Sequence, residues 1–291
     1  MKKKIKYIAE ISSNHNSSLR RCKKFIDIAK MSGFDSVKFQ LFKLEKLFHS
    51  SILKKSKKHR DRVKWELNEN YISTLYKYSK KKGLNFGCTP FYIEAVEILR
   101  PYVDFYKIAS YEILREDLFE KCIDTKKHII FSTGMANKNE VIKILKLFKK
   151  KKFNNFSIMA CSSIYPTKPS ESNLKTIESL RKLLSKYGFN NIKVGWSDHT
   201  CHPAVIYRAF HKFDIELLEA HIDLDGKGVE FNFKHCWLPN EISEVISNVK
   251  NGFISDGKAN LIPRKKEAVE RNWRSDPEDG LRPLKKIRPN K

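Results

Sequence analysis

The chain has 291 residues, of which 41% are hydrophobic and 31% charged, and its formal net charge is +25. This length and hydrophobic content allow a large buried core, which excludes intrinsic disorder, and no hydrophobic run is long enough to span a membrane. The basic clusters are spread along the chain without interleaved aromatic residues, so we expect a cytoplasmic protein with no nucleic acid and no membrane as partner.

Short β-branched runs alternate with segments whose hydrophobic residues recur every three or four positions, which indicates alternating strands and helices. The predicted strands are Tyr7–Ile11, Ser36–Gln40, Asn85–Cys88, Phe105–Ala109, Ile129–Ser132, Phe156–Ala160, Ile192–Trp196 and Leu217–Ala220. The predicted helices are Ser18–Met31, Tyr71–Lys81, Tyr92–Leu99, Leu114–Cys122, Asn137–Phe148, Leu174–Leu184, Ala204–Phe213 and Ile242–Val249. Asn137 and Glu140 predict a capping box at the start of the fifth helix.

Eight strand–helix units predict an α/β protein with a (β/α)8 TIM barrel over residues 1–250. A doubly wound sheet is the alternative, but Ile11–Asn16 stands where that fold has a glycine-rich turn. Residues 251–291 are rich in glycine, proline and charge, and we expect a short irregular C-terminal tail and no separate domain there.

Polar residues follow the predicted strands, and the chemistry of such a barrel lies at the carboxyl ends of its strands. Lys38 and Lys107 stand inside otherwise hydrophobic strands, where an unpaired ammonium is costly to bury. Each lysine should therefore face an anion. That anion is either a ligand with phosphate and carboxylate groups or a structural partner such as Glu10 or Glu112.

Two histidines, His199 and His221, follow the last two predicted strands. A single histidine in this position is more often structural than functional, so the hypothesis depends on the pair. Two imidazoles without a thiolate leave most of the coordination of a divalent ion to water and substrate oxygen. This donor set favours Mn²⁺ over structural zinc and suits the polarisation of a carbonyl. Asp198 and Asp223 are either outer partners of the ion or solvated side chains.

Eight motifs occur in an order that is typical of a known family. They are Ala9–Asn16, Val37–Gln40, Cys88–Phe91, Lys107–Ser110 with Glu112, Ser132–Met135, Tyr165–Pro166, Ser197–Thr200 and Glu219–His221. On these motifs the chain resembles the sialic acid synthase family over roughly residues 5–250. Enzymes of that family condense phosphoenolpyruvate with an N-acetylated amino sugar to make nine-carbon nonulosonic acids.

The resemblance implies roles for the residues at matching positions. Phosphoenolpyruvate would be held by Lys38, Lys107, Ser110, Ser132 and Ser197, in a pocket also lined by Thr89 and Tyr165. His199 and His221 would bind Mn²⁺ or another divalent metal such as Mg²⁺ or Co²⁺. Glu112 and Gln40 would contact the sugar or metal-bound water. The candidate catalytic residues are Glu10, Lys38, Lys107 and Glu112, with Glu10 similar to the acid/base or metal-proximal carboxylate of the family.

The chain departs from the family pattern in three places. Ser163 stands where the family usually has an asparagine and is a candidate substrate contact, and Glu230 is the assigned equivalent of an acidic sugar contact. We also expect no antifreeze-like C-terminal domain, the part that in typical members donates an arginine across a dimer. We hypothesise that Arg271, Arg274 or Arg282 closes the site instead, and a homodimer is compatible with the sequence.

The predicted function is therefore a metal-dependent, phosphoenolpyruvate-using nonulosonic acid synthase. Its acceptor is either an N-acetylmannosamine-like sugar or a 2,4-diacetamido-6-deoxyhexose. The motifs do not decide between these sugars, because they do not reveal the shape of the pocket. The alternative is a catalytically inactive barrel that acts as a sugar-phosphate-binding or partner protein. Nucleic-acid binding through the net charge is a third hypothesis, and it predicts an affinity that falls steeply with salt.

Overall fold

The computed structural model describes residues 5–258 and 260–289, and its eight parallel strands form a closed barrel. The strands are β1 Lys6–Ser12, β2 Ser36–Leu41, β3 Asn85–Pro90, β4 Phe105–Ile108, β5 His128–Ser132, β6 Phe156–Cys161, β7 Lys193–Asp198 and β8 Leu217–His221. Each strand pairs with its neighbours in sequence, and β8 pairs with β1 to complete the ring. The predicted (β/α)8 barrel is confirmed.

The helices lie between the strands, as predicted, with most ends displaced by one or two residues. They are α1 Leu19–Met31, α2 Leu44–Leu47, α3 Ser50–Lys55, α4 Lys57–Arg60, α5 Ile72–Lys81, α6 Ile93–Leu99, α7 Glu116–Asp124, α8 Lys138–Lys150, α9 Thr176–Lys186, α10 Pro203–His211, α11 Pro239–Ser255 and α12 Ala268–Asn272. The segment between β2 and α5 contains three short helices and two 3-10 turns, Asp61–Trp65 and Glu69–Tyr71.

Local sequence signals explain where the long helices begin and which face they bury. The Ser18 hydroxyl accepts a hydrogen bond from the backbone of Arg21 at the start of α1. Asn137 and Glu140 form the predicted capping box of α8. The buried residues of α1 are Cys22, Phe25, Ile26 and Ala29, which recur at helical spacing and face the barrel.

Strand register sets which side chains share a level inside the barrel. On β1, Glu10 is paired with Lys38 of β2 on one side and with His221 of β8 on the other. Residues two apart on a strand face the same way, so Ile8 points inward below Glu10. Ile8 belongs to a hydrophobic layer that closes the barrel beneath the polar level and consists of Ile8, Phe105, Ile130, Met159 and Leu217.

The chain divides into two compact units, Met1–Val249 and Lys250–Lys291. In the second unit, the carboxylate of Asp276 accepts hydrogen bonds from the backbone N–H groups of Glu278 and Lys285, at 3.1 and 2.7 Å. Arg288 pairs with Asp279. The expectation that this segment is no separate domain stays a prediction. Among the described residues no helix is long and hydrophobic enough to cross a membrane.

Candidate active site

A cavity of about 540 Å³ opens at the carboxyl ends of the barrel strands. The structure brings all but one of the predicted site residues to its wall. Those residues are Glu10, Lys38, Gln40, Thr89, Lys107, Ser110, Glu112, Ser132, Tyr165, Ser197, His199, His221 and Glu230. Ser163 is the exception, because its hydroxyl packs against the turn at Gly134, where a Cβ atom would meet it at 2.2 Å.

Lys38 is buried and its ammonium is surrounded by oxygen atoms. It forms an ion pair with the carboxylate of Glu10 and donates a hydrogen bond to the Thr89 hydroxyl at 3.0 Å. Gln40 donates to the other oxygen of Glu10 at 3.1 Å. Burial is the main cause that lowers the pKa of Lys38, to about 8, although Glu219 opposes this shift.

Lys107 pairs with Glu219 of β8, at 3.2 Å, and not with Glu112, the partner considered from the sequence. Glu219 also accepts a hydrogen bond from the Ser197 hydroxyl at 3.0 Å, and its second oxygen lies 3.9 Å from the ammonium of Lys38. Burial acts to raise the pKa of Glu219, but the two lysines lower it below its ordinary value. One buried carboxylate thus holds both lysines.

The turn after β5 closes the side of the cavity next to the lysines. Gly134 donates its backbone N–H to the Ser110 hydroxyl at 3.0 Å, which fixes the start of that turn. The Ser132 hydroxyl is buried and has no hydrogen-bond partner among the described residues. An orphaned hydroxyl at a ligand cavity is available to a bound anion.

The two predicted histidine ligands, His199 and His221, line the same cavity. The ring centroids of His199 and His221 are 5.2 Å apart. His199 donates through Nδ1 to the backbone carbonyl of Ser162 at 2.6 Å, which leaves Nε2 with a free lone pair. Burial lowers the pKa of His221 to about 3, so this imidazole is neutral, as a metal ligand must be.

Glu230 and His235 extend this histidine cluster. Glu230 accepts a hydrogen bond from the Ser12 hydroxyl at 2.5 Å and lies beside His221 and His235. Burial acts to raise the pKa of Glu230, but the two histidines lower it well below its ordinary value. His221, Glu230, His235 and Cys236 place one donor atom each within 4.8 Å of one another. This donor set fits a divalent ion.

Sequence reasoning missed several residues that line the cavity. His235 follows no strand, and its signal was only a histidine in the long loop after β8. Phe48, Arg62 and Trp65 come from the segment between β2 and α5, which carries no periodic pattern. The Arg62 guanidinium stacks over the rings of Phe48 and Trp65, at 5.5 and 5.0 Å from their centroids.

Asp198 and Asp223, considered as outer partners of a metal or as solvated side chains, are fully buried and have structural partners. Asp198 accepts hydrogen bonds from the indole N–H groups of Trp196 and Trp237, at 3.1 and 3.0 Å. Asp223 forms an ion pair with Arg21 at 2.8 Å. The solvated alternative is therefore wrong for both. These carboxylates fix the loops that follow β7 and β8.

The NeuB family model matches residues 25–260, which is most of the chain. The chain belongs to the NeuB family. It is 34% identical over 272 residues to the pseudaminic acid synthase of Campylobacter jejuni, covering 89% of this chain and 77% of that protein. It is 35% identical over 265 residues to the N,N'-diacetyllegionaminic acid synthase of Campylobacter jejuni, covering 85% and 76%.

A solved structure supports the assignment of this chain to the NeuB family. The N-acetylneuraminic acid (sialic acid) synthetase of Leptospira borgpetersenii, crystallised with citrate, superposes with a TM-score of 0.76 at 27% identity. The alignment covers 91% of this chain and 90% of that one. The predicted family and enzyme class, a synthase, are therefore confirmed.

Proposed function

We propose that the protein condenses phosphoenolpyruvate with an N-acetylated amino sugar to form a nine-carbon nonulosonic acid, with release of phosphate. One observation carries this proposal: two buried lysines, Lys38 and Lys107, end in a cavity that His199 and His221 also line. A small anion with two acidic groups fits the lysine side. A carbonyl to be polarised fits the histidine side.

The lysine side supports binding of phosphoenolpyruvate in two ways. Lys38 and Lys107 retain N–H groups beyond those that bind Glu10 and Glu219, and these donors can reach ligand oxygens. The hydroxyls of Ser110, Ser132 and Ser197 line the same wall. Those of Ser110 and Ser132 add neutral donors for phosphate and carboxylate oxygens, while that of Ser197 donates to Glu219.

We further propose that a divalent ion, Mn²⁺ or another such as Mg²⁺ or Co²⁺, is held by His199 and His221. The neutral His221 ring and the oriented His199 ring fit such an ion. When bound, the ion would act as a Lewis acid on the aldehyde oxygen of the sugar.

The proposed reaction joins the two substrates and then releases phosphate. C3 of phosphoenolpyruvate forms a bond to the aldehyde carbon of the open-chain sugar, whose oxygen takes up a proton. Water then adds at C2, and the C–O bond to phosphate breaks to leave the keto acid and inorganic phosphate. Lys38 and Lys107 hold the carboxylate and phosphate while positive charge develops at C2. Glu10 is placed among Lys38 and Gln40 to accept a proton from the water.

The acceptor is proposed from the relatives. Campylobacter enzymes that exceed 30% identity are named for pseudaminic and N,N'-diacetyllegionaminic acid. We therefore place a 2,4-diacetamido-6-deoxyhexose first and N-acetylmannosamine second among the candidate acceptors. Pocket shape decides between sugars that differ by one acetamido or methyl group.

The test is release of phosphate from phosphoenolpyruvate with each candidate sugar, with Mn²⁺ and with a chelator. We expect release only when a sugar and the ion are both present. A Lys38→Met variant should abolish release, while Lys64→Ala, an exposed lysine outside the cavity, should not. Absence of release with every sugar would contradict the proposal and favour an inactive, ligand-binding barrel.

A further inference from the structure

Three buried side chains at the mouth of β8 form a cluster that the two-histidine site does not account for. His221 ends β8, and Glu230 and His235 lie in the loop that follows it. This loop returns to the barrel because Ile222 and Trp237 form an isolated parallel bridge. Trp237 also donates its backbone N–H to the carbonyl of His221 at 2.8 Å, which brings His235 close to His221.

The donor atoms of this cluster are too far apart for hydrogen bonds. Oε2 of Glu230 lies 3.5 Å from Nδ1 of His221 and 3.6 Å from Nε2 of His235. Among the described residues, Oε2 of Glu230 and Nδ1 of His221 have no hydrogen-bond partner, although both atoms are buried. Buried polar atoms without partners are rare in native proteins, and a bound ion is one explanation that fits two such atoms close together.

The same distances suit a shared ion. Two donors that each lie about 2.1 Å from one ion at a tetrahedral angle are about 3.4 Å apart. The spacings around Glu230 are close to this value. Ser12 donates to the other oxygen of the carboxylate and so orients Oε2 toward the two imidazoles, as outer partners of metal ligands commonly do.

His199 completes the arrangement. The ring centroids of His221 and His235 are 4.7 Å apart, those of His199 and His221 5.2 Å, and those of His199 and His235 6.1 Å. Imidazoles that share one ion have ring centroids about 5 Å apart, since each metal–nitrogen bond is about 2.1 Å long. Cys236 stands beside the cluster, but its sulfur accepts a hydrogen bond from the Asn14 amide at 3.3 Å, and we leave it out of the donor set.

We infer that Glu230 and His235 are themselves ligands of the divalent ion, together with His221 and His199. This inference rests on the proposed function for the presence of an ion, and it reassigns Glu230 from sugar contact to ligand. A site of three imidazoles and a carboxylate should bind its ion more tightly, and lose it to a chelator less readily, than a site of two histidines. Such a set favours Co²⁺, Fe²⁺ or Zn²⁺ over Mg²⁺, which prefers oxygen ligands.

The first measurement uses the unaltered protein. Chelator-treated protein is titrated with Co²⁺ and followed by visible absorption, and X-ray absorption spectroscopy of the loaded protein counts the coordinated imidazoles. We expect one Co²⁺ per chain, three imidazoles, and no displacement by excess Mg²⁺. A count of two imidazoles would overturn the inference. This measurement does not depend on the folding of a variant.

The second measurement compares variants by the Co²⁺ dissociation constant. His235→Ala should weaken binding by about 100-fold or more, because even loss of an outer partner of a ligand weakens binding by about 10–100-fold. Glu230→Gln keeps an acceptor for Ser12 but loses the charge, and it should weaken binding as well. The matched control is His202→Ala, which removes an exposed histidine at the start of α10 and should leave the constant unchanged. Circular dichroism confirms that each variant is folded, and His235→Asn replaces His235→Ala if that variant is not.

The outcomes separate this inference from the proposed function. If His235→Ala and Glu230→Gln bind Co²⁺ like the unaltered protein while His199→Ala does not, the inference is wrong and the two-histidine site stands. If the unaltered protein binds no Co²⁺ yet still releases phosphate from phosphoenolpyruvate, the inference is wrong and the condensation stands. If Co²⁺ binds as expected but no sugar supports phosphate release, the ligand set stands and the proposed function fails.

Discussion

The two sides of the cavity differ in how their buried charged groups are paired. On the lysine side, defined by Lys38, Lys107, Glu10 and Glu219, each cation has a carboxylate partner, and the hydroxyls of Thr89 and Ser197 add hydrogen bonds. The nearby Ser132 hydroxyl has no partner in the described part of the chain. The histidine side is defined by His199, His221, Glu230 and His235. There, Oε2 of Glu230 lies 3.5 Å from Nδ1 of His221 and 3.6 Å from Nε2 of His235. Among the described residues, Oε2 of Glu230 and Nδ1 of His221 have no hydrogen-bond partner. The lysines and carboxylates of the first side neutralise each other, whereas the second side holds a carboxylate at these distances from the nearest imidazole nitrogens.

This difference indicates what each side is organised to bind. Two lysines and two glutamates have no net formal charge together, so an anionic ligand must share the ammonium groups with the glutamates. The histidine side gains most from a cation, because a cation would satisfy the carboxylate and the free lone pairs together. The predictions below test this contrast, beginning with the largest expected effect.

Replacing Lys107 by methionine should have the largest effect, because it damages both activity and stability. The change removes a cation from the anion site, and it leaves Glu219 buried with its charge only partly compensated by Lys38. We expect turnover to fall to background. We also expect the free energy of unfolding to fall by about 3–5 kcal/mol, the usual result of breaking a buried ion pair. Urea denaturation and the phosphate-release assay measure the two effects.

The double variant Lys107→Met/Glu219→Gln separates these roles. The glutamine still accepts the hydrogen bond from Ser197, but it carries no charge that needs a partner. Most of the lost stability should return, while turnover should not. Recovery of turnover in the double variant would show that Lys107 only balances Glu219 and does not hold the substrate.

Much of the lysine side could be predicted from the sequence because a lysine within a hydrophobic strand demands a partner. Glu10, the partner of Lys38, was among the candidates from the sequence. The partner of Lys107 could not be predicted, since Glu219 lies 112 residues away on the far side of the ring. Only the closed strand order brings β4 and β8 to face each other across the barrel. Pairing of Lys107 with Glu112, five residues away, was the local and incorrect alternative.

The histidine side was predictable only where a strand delivered the residue. His199 and His221 follow β7 and β8, and the carboxyl ends of neighbouring strands meet at one edge. His235 comes from a loop whose path depends on the bridge between Ile222 and Trp237, which no local pattern encodes. Glu230 could be selected from the sequence but was assigned to the sugar, because its distance to the histidines depends on the same loop.

Loading the histidine side should stabilise the protein. An ion that binds only the folded state adds about 2.7 kcal/mol to the free energy of unfolding at a concentration of 100 times its Kd. We expect Mn²⁺ or Co²⁺ to raise the melting temperature of chelator-treated protein, measured by calorimetry. His221→Ala should abolish the rise, and the exposed-site variant His202→Ala should keep it. An equal rise in His221→Ala would place the stabilising ion elsewhere.

Activity should decline above pH 8 because of the lysine side. Burial lowers the pKa of Lys38 to about 8, so the ammonium that holds the anion loses its proton as the pH rises through that value. On the proposed function the cationic form binds phosphoenolpyruvate, so kcat/KM for this substrate should fall about tenfold per pH unit above the pKa. Lys38→Arg, whose guanidinium stays charged, should show no such decline, whatever its absolute rate. The same decline in Lys38→Arg would assign it to another group.

Replacing Arg62 should have the smallest effect, and it tests which residue provides the cation at the mouth of the cavity. Its guanidinium is stacked on Phe48 and Trp65, its Nε atom is buried without a partner, and no ion pair among the described residues involves it.

Arg62 is thus a cation held at the cavity wall without a counter-charge. We expect Arg62→Ala to raise KM for one substrate by about tenfold, the usual effect of losing a charged hydrogen bond of about 1.5 kcal/mol, with little change in kcat. Lys64→Ala, from the same segment but outside the cavity wall, is the control. The hypothesis of a tail arginine predicts instead that Arg274→Ala or Arg282→Ala loses turnover. A single uncompensated guanidinium should dominate binding of an anionic substrate at the mouth, so only one of these arginines should have the effect. If Arg62→Ala has no effect and Arg274→Ala or Arg282→Ala does, the hypothesis of a tail arginine is supported and that of Arg62 is wrong.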